Sequence, residues 1–335
     1  MAQKRVGKYT VQFLNSPKII AAAGVVGPKE GEGPLSSYFD AVISDEMYGQ
    51  NTAEKAERRF LQHACDQALN TARLSTADID LYLAGDLLNQ LITATFTARR
   101  LSVPYVGIYN ACATLTAGLA LSAMLVDGDY ADRILTGVSS HYQTAERQFR
   151  YPVELNIQRK KTNQRTVTGA GAAVVAREGI GPRITHATLG RVVDYDLKDA
   201  NDMGAAMAPA AADTFLRHLE DTDRTVVDYD LVLTGDLANN GKPLFNALLK
   251  EAGISLENKH QDAGALIYSP QQQVQAGGSG AACSAAVFYG YVLKEMADTR
   301  WRRVLLIATG SLHSPLSCLQ GESIPCIAHA VAVET

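Results

Sequence analysis

The sequence predicts an α/β fold built from two duplicated halves, and three repeated features carry that prediction. The decapeptide at 80–89, DLYLAGDLLN, recurs at 230–239 as DLVLTGDLAN, and each copy has the pattern of a strand that ends in Gly-Asp. In each half a cysteine then opens an alanine-rich segment, and a Ser-x-His triplet follows the next strand. Three features in the same order indicate two copies of a strand–helix–strand–helix–strand unit, which we place at 1–179 and 180–335. The recurring residues are Asp86 and Asp236, Cys112 and Cys283, Ser139-Ser140-His141 and Ser311-Leu312-His313.

The first elements follow from local composition. Ile19–Ala23 is an apolar run that predicts a strand. Residues 24–34 contain four glycines and two prolines, so we predict a shaped loop there, which carries one basic group, Lys29. Thr52 is expected to cap a helix that runs to about Leu74. The apolar face of that helix consists of Ala56, Phe60, Ala64, Cys65 and Ala68, and its predicted water-facing side consists of Glu54, Lys55, Glu57, Arg58 and Arg59.

Residues 102–127 are the stretch around which the chain is expected to be organised. Val103–Tyr109 predicts a buried strand, and the residues from Ala113 onward predict a helix that is buried on every side. Cys112 then lies at a strand-to-helix turn, where free N–H groups and the helix dipole favour a thiolate. Three roles stay open: a nucleophilic cysteine, a carboxylate site built on the helix N-terminus, or a small buried side chain.

Residues 141–165 are polar and basic with no sustained period, and they predict a long irregular loop. This loop leaves the same edge of the sheet as Cys112, and ligands in such sheets bind beyond the strand ends. Its side chains are therefore candidates for a pocket, namely His141, Glu146, Arg147, Arg150 and Tyr151.

Composition excludes several classes of function. The net charge of −4 provides no basic field, so nucleic acid is not expected as a partner. The five scattered cysteines form no C-x-x-C pair and no metal-ligand spacing, which suits a reducing compartment. The N-terminus lacks the apolar core of a signal peptide, and no apolar run approaches the ~18 residues of a membrane span. These features predict a soluble intracellular protein. The sequence has neither EF-hand spacing nor a tight cluster of carboxylates, so calcium binding by the protein itself is not expected.

Several motifs carry a resemblance to a known family. The duplication and the cysteine at a strand-to-helix turn resemble the thiolase superfamily. Within it, the chain resembles the family of stage V sporulation AD proteins over nearly its whole length. The strings that carry this closer resemblance are GPKEGEGPL (27–35), LAGDLLNQ (83–90), Asn110-Ala111-Cys112, SSH-x-x-TAERQFRYP (139–152), DMG-x-AMAPAAADT (202–214) and ESIPCIAH (322–329).

The resemblance implies a fold, a ligand and an assembly. The fold would be thiolase-like, with two βαβαβαββ halves stacked as a layered αβαβα sandwich. The family binds dipicolinic acid (pyridine-2,6-dicarboxylate) as part of a membrane-associated channel complex, which moves dipicolinate with calcium into the developing spore and releases it in germination. The expected partners are therefore dipicolinate or its calcium chelate, membrane-embedded subunits and a second copy of the chain. The expected location is cytoplasmic, at the face of the forespore or spore inner membrane.

The departures from condensing enzymes of the superfamily predict a protein without catalytic activity. Those enzymes pair the nucleophilic cysteine with two bases, which are often histidines. The corresponding element of the second half here carries Asp236, and the next element reads Gly277-Gly278-Ser279-Gly280. His329 stands at a position that resembles a glycine of the family's late Cys-x-Gly-Gly element. The alternatives are an acyl-transfer enzyme that uses Cys112 as nucleophile, and a scaffold whose pocket has no ligand.

The predicted site holds two carboxylates of a flat aromatic dianion, with no cofactor and no metal. The N-terminus of the helix at Cys112 supplies one set of donors, and basic and hydroxyl groups supply the rest. Asp86 and Asp236 could orient a basic group, although capping of a neighbouring helix is favoured for both. The candidate ligand-binding residues are Cys112, Lys29, Asp86, Ser139, His141, Arg147, Arg150, His313 and His329, with Ser311 beside His313.

Overall fold

The strands and helices of the protein alternate through most of the chain. A computed structural model describes residues 3–335. The strands are β1 (Thr10–Gln12), β2 (Lys18–Val26), β3 (Ala41–Val42), β4 (Leu81–Gly85), β5 (Tyr105–Gly107), β6 (Arg133–Ser140), β7 (Arg165–Thr166), β8 (Gly169–Ala176), β9 (Arg183–Leu189), β10 (Leu231–Thr234), β11 (His260–Asp262), β12 (Gly278–Ser279), β13 (Arg303–Ser311) and β14 (Cys326–Glu334). The helices are α1 (Pro28–Gly31), α2 (Ala53–Ala72), α3 (Ile92–Leu101), α4 (Thr114–Asp127), α5 (Tyr142–Phe149), α6 (Met203–Thr222), α7 (Ala238–Glu251), α8 (Ala263–Leu266), α9 (Ala281–Ala286), α10 (Leu293–Ala297) and α11 (Pro315–Leu319).

The sheet order displays the duplication directly. The hydrogen-bonded order is β11-β10-β13-β14-β9-β2-β8-β6-β4-β5, so the five strands of one half mirror the five of the other. The halves meet where Lys18 of β2 pairs with Arg183 of β9, and the N-terminal β1 also adds to β9. In each half the three outer strands are parallel, and the inner pairs are antiparallel.

Three layers of helix enclose the two halves of the sheet. Helices α4 and α9 contact each other and strands of both halves, so they form the central layer. Helices α2 and α3 cover the outer face of the first half, and α6 and α7 cover that of the second. The central layer is apolar on all sides: α4 and the residues from Ala281 to Val292 are almost wholly buried. This is the layered αβαβα sandwich that the resemblance implied.

The prediction for α2 was confirmed, with one exception. Thr52 Oγ1 accepts a hydrogen bond from the Lys55 N–H at 3.4 Å, and the helix ends at Ala72. The five predicted apolar positions are fully buried. Glu57, which was expected to face water, is also fully buried, because the hydroxyls of Ser139 and Thr144 approach it from β6 and α5.

Three local predictions were wrong. The strand before Cys112 is short and lies at the outer edge of the sheet, where Val106 and Tyr109 are 49% and 44% exposed. Residues 24–34 are not one loop, because β2 continues to Val26 and Pro28 begins the short helix α1. The segment 141–165 is not irregular throughout, because His141 caps α5 through its side chain. Among residues 3–335 no helix is long and apolar enough to cross a membrane.

Candidate functional site

A tight turn at Asn110-Ala111-Cys112 positions the cysteine. Ala111 adopts the left-handed conformation (φ 48°), which is uncommon for a residue with a side chain. The Thr114 hydroxyl donates to the Ala111 carbonyl at 2.6 Å and accepts from the Asn110 N–H at 3.0 Å. Gly310 of β13 lies so close that an added Cβ would stand 2.3 Å from the Asn110 oxygen. The turn therefore holds Cys112 at the start of α4, against the strand of the other half.

A narrow cavity of about 20 Å³ opens beside Cys112. That volume is close to the space of one water molecule, so a larger ligand requires its walls to move. One wall is apolar and includes two methionines, whose unbranched side chains adapt readily. The apolar wall consists of Leu87, Ala111, Ala145, Phe149, Met203 and Met207, and the polar wall consists of Cys112, Arg150, Thr166, Asp236, Ser279, Gly280, Ser311 and His313.

Asp236 is the buried carboxyl group of this cavity. Its Oδ1 accepts a hydrogen bond from the Thr309 hydroxyl at 2.7 Å, and its Oδ2 accepts from the Gly280 N–H at 3.1 Å. Gly280 has φ of 105°, a conformation that a side chain would strain, so glycine is required for this contact. Burial raises the pKa of Asp236 to about 7, although the hydroxyl, the N–H and the Cys112 thiol all favour the charged form.

Cys112 is held as a thiol. Burial raises its pKa well above the ordinary value, and the Asp236 carboxylate, to which the thiol donates a hydrogen bond, raises it further. The Gly280 N–H and the Arg150 guanidinium act in the opposite direction, but their effect is smaller. The expectation that the helix N-terminus favours a thiolate is therefore wrong, because enclosure and a neighbouring carboxylate outweigh the helix.

Arg150 and His313 are the two nitrogen-bearing side chains of the cavity lining. The Arg150 side chain is 3% exposed, and its Nη1 forms a 2.6 Å ion pair with Glu146. Among residues 3–335, its Nη2 reaches only the Met203 sulfur at 3.9 Å, which is a weak acceptor. His313 shares a 2.7 Å hydrogen bond between Nδ1 and the Ser311 hydroxyl, and the Phe149 backbone also interacts with the ring. Burial lowers the pKa of His313 to about 4, so the ring is neutral at neutral pH.

A second cavity of about 260 Å³ adjoins the first at Arg150. Residues 150–160 form most of its lining, together with Tyr142, Asn163 and Asn201. Glu146 is fully buried and lines this second cavity, where Arg159 contacts its Oε2 at 2.5 Å and Arg150 its Oε1. The buried carboxylate fixes both guanidinium groups, so cationic donors extend from the outer cavity to Cys112.

Of the nine predicted site residues, Cys112, Arg150 and His313 line the same cavity. His329 lies next to the turn, with Nε2 3.3 Å from Asn110 Oδ1 and Nδ1 accepting from the Gly190 N–H. Burial lowers the pKa of His329 to about 4. His329 therefore contacts the Asn110-Ala111-Cys112 turn without lining the cavity.

The other five predicted residues bond elsewhere. Asp86 accepts the N–H groups of Leu88 and Ala94, and so caps α3. Ser139 donates to Glu57, and His141 caps α5 and contacts the Glu46 carbonyl. Arg147 pairs with Glu54, and Lys29 lies 3.6 Å from Glu32 in a separate cavity of about 110 Å³.

Asp236 lines the cavity, although the sequence favours a structural role for both Gly-Asp copies. Only the first copy caps a helix; the second faces Cys112. The signal was present in the sequence, because Asp236 stands where condensing enzymes of the superfamily are expected to carry a base. No group of three or more His, Cys, Asp or Glu residues within 3–335 is arranged to hold a metal ion.

The layered sandwich and the cysteine before a buried helix define a thiolase-like protein. The 3-oxoacyl-[acyl-carrier-protein] synthase III of Aquifex aeolicus VF5 is 16% identical, with a TM-score of 0.60, over 95% of this chain and 100% of that chain. A variant of OleA from Xanthomonas campestris is 16% identical, with a TM-score of 0.64, over 97% and 98% of the two chains. At this level of identity these likenesses concern the fold.

Proteins that are more similar in sequence show which family this chain belongs to. The family described as Stage V sporulation protein AD matches residues 7–334. The Stage V sporulation protein AD of Bacillus subtilis (strain 168) is 47% identical over 331 residues, which cover 99% of this chain and 98% of that protein. The chain therefore belongs to the stage V sporulation protein AD family, and it is a sporulation protein.

Proposed function

We propose that the protein is a non-enzymatic subunit that binds dipicolinic acid in the cavity beside Cys112. The observation that carries the proposal is that Arg150 and His313 line one largely apolar cavity, and that Arg150 Nη2 has no stronger acceptor than the Met203 sulfur among residues 3–335. A dicarboxylate on an aromatic ring needs such donors for its charges and apolar walls for its ring. Phe149, Met203 and Met207 supply those walls.

The size of the cavity limits how the ligand enters. The space beside Cys112 holds about one water, whereas the adjoining outer cavity holds about 260 Å³. Arg150 lines both, so one carboxylate can remain on its guanidinium while the ring displaces the flexible methionines. Dipicolinate, alone or as its calcium chelate, would enter from the outer cavity.

The proposed setting is a membrane-associated channel complex in which membrane-embedded subunits provide the pore. The protein would lie at the cytoplasmic face of the forespore or spore inner membrane. Membership of the sporulation family supports this setting.

The second candidate function is acyl transfer with Cys112 as the nucleophile. The observation that favours it is the thiolase-like fold, with Cys112 at the start of the central helix. The raised pKa of the thiol and the neighbouring Asp236 carboxylate count against it, because the thiolate is the reactive species.

Calorimetric titration with dipicolinate tests the binding proposal. We expect saturable binding by the wild type and a loss of about 10- to 100-fold in affinity for Arg150→Gln, since a charge-assisted hydrogen bond contributes about 1.5–3 kcal/mol. Arg147→Gln is the matched control, because Arg147 contacts Glu54 outside the cavity. Picolinate, with one carboxylate, should bind more weakly. Equal affinity of the two arginine variants would place the ligand elsewhere, and absence of binding by the wild type would refute the proposal.

A further inference from the structure

We propose that Asp236 takes up a proton when an anionic aromatic dicarboxylate enters the Cys112 cavity, so that ligand and proton bind together. The inference rests on the proposed function and deepens it, because it makes Asp236 the residue that sets the pH range of binding. It starts from one structural fact: a cavity with donors suited to a dianion also contains a carboxyl group.

The surroundings of Asp236 hold its charge only weakly. Its two oxygens accept the Thr309 hydroxyl and the Gly280 N–H, and the Cys112 thiol is a third, weaker donor. Within residues 3–335 no lysine, arginine or histidine forms an ion pair with it. The cavity's arginine, Arg150, is already paired with Glu146.

The remaining groups around Asp236 do not supply a counter-charge. Cys283 of α9 and Cys326 of β14 lie close enough to be influenced by its charge, and both are thiols of raised pKa. His313, which lines the same cavity, is neutral at neutral pH. Asp262 is a second buried carboxyl, held by the N–H groups of Leu237, Ala238 and Ala265, and its charge opposes ionisation of Asp236. Gln164 donates to the Asp236 backbone carbonyl and not to the carboxylate.

A bound dianion would add a further negative charge to this enclosed space. In a site shielded from water like charges interact strongly, so the charged form of Asp236 is disfavoured in the complex. Burial already brings the pKa of Asp236 to about 7 in the free protein, and the anion raises it. Below that value Asp236 is protonated with or without ligand. Above it, binding requires proton uptake, and affinity falls about tenfold for each pH unit until the pKa of the complex is reached.

Titration calorimetry with dipicolinate in two buffers of different ionisation enthalpy, phosphate and Tris, measures this proton directly. At a pH of about 8 we expect the wild type to take up close to one proton per ligand, and affinity to fall about tenfold over the next pH unit. Asp236→Asn should abolish the proton uptake and flatten the pH profile. Asp298→Asn, at an exposed position after α10, is the control and should behave as the wild type.

A second variant tests the inference if Asp236→Asn folds poorly. Thr309→Val removes the hydroxyl that stabilises the charged carboxylate, so the pKa of Asp236 should rise and the pH dependence should begin at higher pH. Dipicolinate binding by the wild type without proton uptake, and with a flat profile from about pH 7 to 9, would overturn the inference and leave the proposed function intact. Absence of binding at every pH would overturn both.

Discussion

Cys112 illustrates how immediate neighbours decide the chemistry of a residue. Its place before α4 is that of a nucleophile, but enclosure and the Asp236 carboxylate raise the pKa of the thiol. We therefore expect native protein incubated with acetyl-CoA near neutral pH to carry no acyl group on Cys112. Iodoacetamide should modify Cys112 about 100-fold more slowly in the folded protein than in denatured protein, since only the thiolate reacts. Peptide mapping by mass spectrometry checks both expectations.

The control for this experiment is Asp236→Asn, which removes the negative charge beside the sulfur and should speed alkylation of Cys112. Cys318, which lies in α11 and is partly exposed, reports whether the reagent is active on folded protein. An acetyl group trapped on wild-type Cys112 would contradict the binding-subunit proposal and favour the acyl-transfer alternative.

At the scale of elements, Glu57 joins α2 to β6 and α5. Its carboxyl accepts the Ser139 hydroxyl at 2.9 Å and the Thr144 hydroxyl at 2.8 Å. Burial, with the nearby Asp86 carboxylate, raises the pKa of Glu57 to about 8, whereas an exposed glutamate titrates near ~4.3. Between these values the folded protein keeps a proton that the unfolded chain has lost. The free energy of unfolding should therefore fall as pH rises, by up to ~1.4 kcal/mol per unit from this residue.

Glu57→Gln should remove that contribution, because glutamine keeps the shape of the protonated acid without its titration. Guanidinium unfolding at several pH values between about 5 and 8 should then give a shallower decline than in the wild type. Glu251→Gln, at the exposed end of α7, is the matched control. A slope for Glu57→Gln equal to that of the wild type would show that Glu57 does not titrate in this range.

The helices also differ in how far their structure could be predicted from the local sequence. The apolar stripe of α2 was predictable because the period of small and aromatic residues decides which face is buried. The burial of Glu57 was not predictable, because the hydroxyls that donate hydrogen bonds to it belong to residues 139 and 144, far along the chain. Helix α5 was not predicted for a similar reason. Its sequence is polar, and the helix is stabilised by the His141 cap and by the buried ion pairs of Glu146, which the local sequence pattern does not indicate.

The candidate site was predictable to a similar extent. The duplication and the family resemblance pointed to the region beyond the strand ends, near the cysteine turn. This was enough to name Cys112, Arg150 and His313. The different roles of Asp86 and Asp236 could not be read from two nearly identical decapeptides. They depend on what packs against each copy, which is the N-terminus of α3 in the first half and the Gly280 N–H with Cys112 in the second.

For the whole molecule, the two edge strands of the sheet, β11 and β5, differ in how far their side chains are exposed to solvent. At one end β11 is protected, with His260 and Asp262 buried. At the other end β5 is the edge strand, and the apolar side chains of Val106 and the nearby Tyr109 are exposed. An open edge strand with apolar side chains is a template for pairing with another chain. We propose that two copies pair their β5 strands about a two-fold axis, which would continue the sheet from one protomer to its partner.

Val106→Lys tests this arrangement, because a lysine on each copy places two like charges at the shared edge and leaves them without water. We expect the wild type to sediment as a dimer, and the variant to dissociate at least about tenfold more readily in analytical ultracentrifugation, which corresponds to ~1.4 kcal/mol. Ile180→Lys is the matched control, since Ile180 is apolar and 94% exposed in the turn between β8 and β9. A wild type that is monomeric at micromolar concentration, or a Val106→Lys dimer as stable as the Ile180→Lys dimer, would remove β5 from the interface. The Cys112 turn follows directly after β5 in the chain. A dimer formed through β5 would therefore bring the Cys112 turns of both copies near the shared edge.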